Sequence, residues 1–460
     1  MWYKRGMPNR SNRRDFLRNT LSVGAGLVAT NALARDHHET TRPAPGDANV
    51  ALLTTEPTDR VRLGVIGLGN RGASMLPGIL QLDWVDVTAV CDKVDAKLER
   101  ASDIAQEARG ERPQTFGGVD GWKQLCAADS CDAVYICTPW DQHTPQALAA
   151  MTGGKHALVE VPAALTVDEA WQLVETSETT RRHCAMMENC CYGNSELTAL
   201  NMAKQGVLGT LVHGAGAYIH DLRDLHFSPD YYEDQWRLKF CEAFNCNHYP
   251  THGLGPVAWY MDINRGDAFD YMVTVASMQA GMSEYAAERF GDDSPQAKQS
   301  YALGDMNTSI LKTKRGRTIL VQHDVTSPRP YSRINQISGT KGTFEGYPDR
   351  LALSPDGHRW LDDDALRSKM SEYEHPLWAK VGAFAREVGG HGGMDFVMMY
   401  RTLDCLRRGV PLDFNAYDAA AWSVLFPLSA RSMGQRGGSV DIPDFTRGAW
   451  QTTPPLEIGA

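Results

Sequence analysis

The stretch VRLGVIGLGNRG, residues 61–72, decides how the chain folds. An apolar run passes into Gly67-x-Gly69-x-x-Gly72 and a helical pattern follows, the context that gives an otherwise weak motif its meaning. In such a turn the first glycine permits the sharp bend, the second lets backbone approach a pyrophosphate, and the third lets helix pack on strand. The plain alternative is a glycine turn with no ligand. Asp92, closing the next apolar run, speaks against it. An acid so placed accepts hydrogen bonds from an adenosine ribose and repels a 2′-phosphate, so the expected cofactor is NAD rather than NADP.

Outward from this motif, strand-like and helix-like segments alternate. VDVTAVCD (85–92), CDAVYICTP (131–139), KHALVEVP (155–162) and HCAMMEN (183–189) are apolar runs, and helical patterns separate them. Near-continuous apolar strands divided by helices indicate a parallel sheet covered on both faces. Thr166 and Glu169 have the spacing of a capping box that opens a helix over 167–180. The expected architecture is α/β: a Rossmann domain over 59–190, then an α+β domain over 191–460 built on a mostly antiparallel sheet. In the latter, 210–220, 306–325 and 333–347 have strand character, with Lys314 to Arg317 at a hairpin turn. Ligands of open parallel sheets bind beyond the carboxyl ends of the strands, here Thr138 to His143, Glu160 with Val161, and Glu188 with Asn189.

Before the glycine motif the chain carries a basic start, an uncharged segment from Thr20 to Ala34, and Ala32-Leu33-Ala34 suited to a signal peptidase. Arg13-Arg14 followed by Asp-Phe-Leu resembles the twin-arginine signal of proteins exported already folded. We expect a signal at 1–34 and a linker at 35–58, with the mature chain periplasmic or secreted and the twin-arginine machinery as a partner. The apolar segment is too short for a membrane anchor. A net charge of −10 argues against a nucleic-acid partner. None of the ten cysteines falls in a zinc spacing, and Cys241 with Cys246 is the pair to test as a disulfide.

With its dinucleotide motif and following sheet domain, the sequence resembles the glucose-fructose oxidoreductase and inositol dehydrogenase superfamily. Dehydrogenases of that group carry Glu-Lys-Pro after the fifth strand, whereas this chain has Glu160-Val161-Pro162. Together with GLGNRG, TPWDQH, EVPAALT, MENCCYG, GAYIHDL, YPTHGLGPV, INRGD and GGMDFVMMYR, that departure makes the chain resemble glycoside hydrolase family 109, the NAD-dependent alpha-N-acetylgalactosaminidases. The resemblance implies NAD contacts from Asn70, Arg71, Asp92, Trp140, Asp141, Gln142, His143, Glu160, Val161 and Asn189, beside Gly67, Gly69 and Gly72. It implies a sugar site of Tyr218, Arg237, Tyr249, Pro250, Thr251, His252 and Tyr331, and a glycan or glycoconjugate substrate.

An ordinary glycosidase needs two carboxylates flanking the scissile bond, and no such pair stands out in the sequence. The resemblance implies a redox-neutral route instead: oxidation at sugar C3, loss of the C2 proton, elimination of the aglycone, addition of water, and reduction. His252 is the first choice for the base at the C3 hydroxyl, because imidazole titrates near neutrality; a structural histidine at a helix start is the alternative. Tyr249, and behind it Tyr218, are candidates for the C2 proton. His220, His248 and His391 have no assigned role, and no metal site is expected. Two other readings stay open: an exported NAD(P)-dependent sugar oxidoreductase of the glucose-fructose type, and a non-catalytic sugar sensor. A homo-oligomer is compatible with the glycosidase reading and with both of these.

Overall fold

In the computed structural model, Arg42 and residues 49–459 are described. The expected signal, and the expected linker up to residue 48 apart from Arg42, lie outside these residues. The remainder of that linker is not a free tether. Val50 and Leu53 are buried, the Asn49 amide donates to Thr453, and the Thr55 and Thr58 amides bond to the carbonyls of Gly409 and Arg407.

Six strands, β1 (Val61–Ile66), β2 (Val85–Asp92), β3 (Gln114–Gly117), β4 (Ala133–Ile136), β5 (His156–Val159) and β6 (Cys184–Met186), form one sheet in the order 3-2-1-4-5-6. Every pairing in it is parallel. β4 and β5 are buried along their whole length, as strands covered on both faces must be. The capping box forms: the Thr166 hydroxyl accepts from the Glu169 amide, the Glu169 carboxylate accepts from the Thr166 amide, and the helix runs Val167–Thr180. Pro77 lies within the helix Asn70–Ile79 without ending it.

The second sheet holds β7 (Leu211–Ile219), β8 (Phe269–Ala276), β9 (Asn307–Thr313), β10 (Thr318–Asp324), β11 (Gln336–Gly339), β12 (Gly342–Glu345), β13 (Arg350–Leu353) and β14 (Val440–Asp441), ordered 13-12-11-7-10-9-8-14. Its pairings are antiparallel except β7 with β10. The hairpin between β9 and β10 turns through Lys314 to Arg317, as the sequence indicates. The segment 333–347 divides into two short strands, because Thr340 and Lys341 turn the chain between Gly339 and Gly342.

The chain then returns to the first domain. The helix Met394–Arg408 packs on the helix Asn70–Ile79 and β1, and Ala416–Ser423 packs on Val167–Thr180 and β6. One continuous core therefore runs through both sheets. All ten cysteines are unpaired, so the expected test pair is not a disulfide; the Cys241 sulfur lies 3.3 Å from the His226 ring instead. Among the described residues no helix is long and apolar enough to cross a membrane.

Candidate active site

The glycine motif links β1 to the helix Asn70–Ile79. Gly67 has φ +88°, and a Cβ there would lie 2.8 Å from the Cys137 carbonyl carbon; one on Gly72 would collide with the Gly67 oxygen at 1.9 Å. A Cβ on Gly69 meets nothing within 4 Å. The space above Gly69 is therefore open, and no side chain caps the amides of the helix that begins there. Uncapped amides and an open approach fit a pyrophosphate. Asp92 is committed to the loop from below: its carboxylate accepts from the Leu68 amide at 2.7 Å and the Val94 amide at 2.9 Å. The residues present thus fit NAD.

Beside this loop runs an ionic chain. Arg71 pairs with Glu160 at 2.7 Å and with Asp395 at 2.9 Å; Tyr135 donates to Glu160, and Asn189 donates to Asp395 at 2.7 Å. Arg71 beside it, outweighing the effect of burial, holds the Asp395 carboxyl well below the usual range. Of the residues expected at the cofactor, Asn70, Arg71, Asp92, Glu160 and Asn189 gather around the groove, with Val161 buried beside Glu160. His143 does not present its ring to the groove. Both ring nitrogens lie 2.7 Å from backbone carbonyls, of Thr138 and Pro162, so the side chain braces the strand ends. Asp141 is exposed and receives the Gln142 amide. Trp140 is buried, stacked on Tyr249 with ring centres 5.7 Å apart.

The sugar-site candidates converge from β7 and the helix Thr251–Tyr260. Two glycines allow it: a Cβ on Gly216 would sit 2.0 Å from the Gly253 oxygen, so helix and strand meet backbone to backbone. That contact brings Tyr218 to 5.4 Å from His252 and 4.8 Å from Tyr249 between ring centres. Tyr331 closes the far side at 6.2 Å from Tyr218. The Arg237 guanidinium lies over Trp140 and Tyr249, at 4.9 and 4.8 Å from their rings, and donates to Tyr232 at 3.0 Å. Burial pushes the Tyr218 phenol up to about 12 and the Tyr249 phenol well above its ordinary value, while Arg237 draws both back toward ionisation. Pro250 and Thr251 serve the helix start, Thr251 fully buried.

Glu188 is the carboxylate that sequence reasoning placed at the cleft without a role. It sits just beyond β6, fully buried, 2.7 Å from His252 Nδ1. Burial alone would raise this carboxyl; the His252 imidazole and the Cys190 amide outweigh it and hold it low. His391 is the second find. Residues 389–393 all have positive φ, and the one side chain among them is His391, whose Nδ1 lies 2.7 Å from Asp395. The spacing His391-x-x-x-Asp395 could have signalled that pair; nothing local announces Glu188 with His252. His248 points inward, bonded to the Phe244 carbonyl, and His220 lies 5.1 Å from Tyr331 between ring centres. Glu188, Cys190 and His252 offer ligand atoms within 4.8 Å of one another. The Arg333 guanidinium, 2.6 Å from the Cys190 sulfur, already places a cation there, so the donor set does not suit a metal ion.

Residues 61–188 match the model of the oxidoreductase family with NAD-binding Rossmann fold, and residues 192–452 match that of the glycosyl hydrolase 109 C-terminal domain. Similar relatives include glycosyl hydrolase family 109 protein 2 of Shewanella sp. strain ANA-3, 46% identical over 452 residues, covering 97% of this chain and 99% of the relative. A family 109 protein of Shewanella baltica strain OS155 is 46% identical over 455 residues, covering 97% and 98%. Among solved structures, levoglucosan dehydrogenase in complex with NADH and levoglucosan superposes with a TM-score of 0.64 at 17% identity, over 84% of this chain and 100% of that one. An oxidoreductase domain protein from Kribbella flavida gives 0.64 at 18% identity over the same shares. With an NAD-binding Rossmann domain in front of that C-terminal domain, and relatives alike along nearly their whole length, the chain belongs to glycosyl hydrolase family 109.

Proposed function

We propose that the protein is an exported glycosidase that hydrolyses alpha-N-acetylgalactosaminides by oxidation, elimination, water addition and reduction within one turnover. The observation that carries this reading is the His252 imidazole with ionised Glu188 on Nδ1, beside Tyr218 and Tyr249, in a site where position 161 is a valine rather than a lysine. NAD, when bound, supplies the hydride acceptor and gives the hydride back before product leaves.

The chain's own residues handle protons. His252 Nε2 takes the proton of the C3 hydroxyl, and the Glu188 carboxylate steadies the imidazolium that results. The ketone at C3 acidifies the C2 proton, which passes to a phenolate of Tyr249, or of Tyr218 beside it, whose ionisation the Arg237 guanidinium favours against burial. As the C1–O bond breaks, the departing oxygen needs a proton and the incoming water must lose one. His391 suits both steps: its ring is exposed, and Asp395 fixes its Nδ1 and leaves Nε2 outward. Because oxidation and reduction cancel, the cofactor never has to leave. That supports folding around NAD in the cytoplasm and export by the twin-arginine route. Purified protein given a chromogenic alpha-N-acetylgalactosaminide should release the chromophore with no net NADH. Oxidation of one sugar coupled to reduction of another would favour the oxidoreductase reading instead.

A further inference from the structure

We propose that Glu233 and Asp234, reaching from the second domain, form an acidic clasp over the adenosine end of the NAD groove that retains the cofactor and disfavours a 2′-phosphate. The inference rests on NAD binding and not on the identity of the sugar.

The adenosine end is marked by Asp92 at the close of β2. The next side chains outward are Lys93 and, in the first turn of the helix Asp95–Arg109, Lys97. Two ammonium groups beside a ribose would welcome a 2′-phosphate and offset the repulsion from Asp92. Here neither is free to do so. Lys93 pairs with Glu233 at 3.1 Å and Asp234 at 3.2 Å, and Lys97 pairs with Glu233. The Lys97 and Lys93 hydrogen bonds draw the Glu233 carboxyl below its ordinary range. Two lysines against two acids leave no net charge, so the −1 of Asp92 prevails where the phosphate would sit.

The clasp also spans the groove. On its other lip Asn70, the first residue after the glycine turn, donates its amide to the Tyr231 carbonyl. Tyr231, Glu233 and Asp234 thus hold the loop from the side of β1 and from the side of β2 together. The turn is bent for this: Asp234 and Gln235 adopt φ of 58° and 49°, left-handed for residues with a Cβ, and the Gln235 amide ties the turn back to the Phe227 carbonyl. Two residues on, Arg237 lies in the aromatic site, so one short stretch reaches both the adenosine end and the sugar end. A lone exposed ion pair contributes little. Three that converge with a hydrogen bond on one groove act together on whatever lies in it.

The test uses the full chain. In Glu233→Gln/Asp234→Asn, NAD release during dialysis, assayed in the denatured supernatant, should quicken roughly tenfold, what a few exposed ion pairs together supply. On cofactor-stripped protein, the ratio of NADP to NAD affinity, read by protein fluorescence, should rise by about as much. Lys93→Gln/Lys97→Gln should loosen NAD equally without that gain for NADP. Should the acidic variant fold poorly, the fully charge-exchanged variant Lys93→Glu/Lys97→Glu/Glu233→Lys/Asp234→Lys should keep NAD as the parent does while Glu233→Lys/Asp234→Lys alone loses it. An NAD release rate within twofold of the parent, or an unchanged affinity ratio, would overturn the proposal.

Discussion

Two histidines of this protein carry a carboxylate on Nδ1 at the same 2.7 Å, yet their surroundings are opposite. The His252 side chain is 13% exposed and its partner Glu188 not at all, whereas the His391 side chain is 61% exposed over an Asp395 that is 7% exposed. The buried pair joins the end of the first sheet to a helix of the second domain; the open pair is four residues apart, His391 on a glycine-rich bend and Asp395 in the first turn of the helix Met394–Arg408 that follows it. Equal geometry with unequal water access suits two different protons. In the proposed cycle one serves a hydride step that must stay dry, and the other a leaving group and a water molecule.

The comparison breaks if either histidine can do the work of the other. His252→Ala should cut turnover by roughly 10²- to 10⁴-fold, as loss of a general base does, and substrate should no longer reduce the bound cofactor, measured by absorbance. His391→Ala should leave that reduction intact. Its loss should depend on the leaving group: roughly 10²-fold for an alkyl aglycone, near the low end of acid-base effects, and much less for a nitrophenol. Equal losses on both substrates would count against the role given to the open pair. Glu188→Gln keeps the shape but removes the charge, so turnover should fall about 10- to 100-fold, the scale of losing a group that orients a histidine, and its pH profile should move with it. An unmoved profile would make Glu188 a packing residue.

A third set of histidines sharpens the contrast. His226, His248 and His323 are buried beneath the aromatic site with no carboxylate on their rings. Burial lowers His248 to about 4, His226 to about 3 and His323 likewise well below its ordinary value. Unfolded imidazoles titrate near 6.5, so between that pH and about 4 the unfolded chain binds more protons. The stability these groups give is full above about pH 6.5 and falls as pH drops through the window, by at most about 1.4 kcal/mol per histidine per pH unit. Thermal midpoints taken from pH 7.5 to 4.5 should decline accordingly. A flat profile would mean that these rings are charged in the fold.

What could be read from the sequence was local. Gly67 to Gly72 with Asp92, and the Thr166–Glu169 capping box, are short-range patterns with steric or hydrogen-bonding causes, and each stands where its spacing put it. The family resemblance grouped His252 and Tyr249 with Tyr218, and their rings lie 5.4 and 4.8 Å from it, although the pair of glycines that makes the approach lies in separate elements. What escaped was long-range. Glu188 meets His252, and Lys93 meets Glu233, only because the second domain folds back on the first. His143 looked like a ligand-facing residue by position, but backbone carbonyls on both ring nitrogens claim it. The residues 49–58 looked like linker by composition, yet Val50 and Leu53 found apolar partners in the core.

The central claim is that the glycosidic bond breaks by elimination after oxidation at C3, with His252 beginning the sequence. Hydrolysis in heavy water, with the product sugar examined by proton NMR, tests it directly. The account predicts deuterium at C2 of the product in the parent enzyme and none in the traces of product made by His252→Ala, since the ketone that acidifies C2 then does not form. Product unlabelled at C2, together with near-normal turnover in the His252 variant, would contradict it.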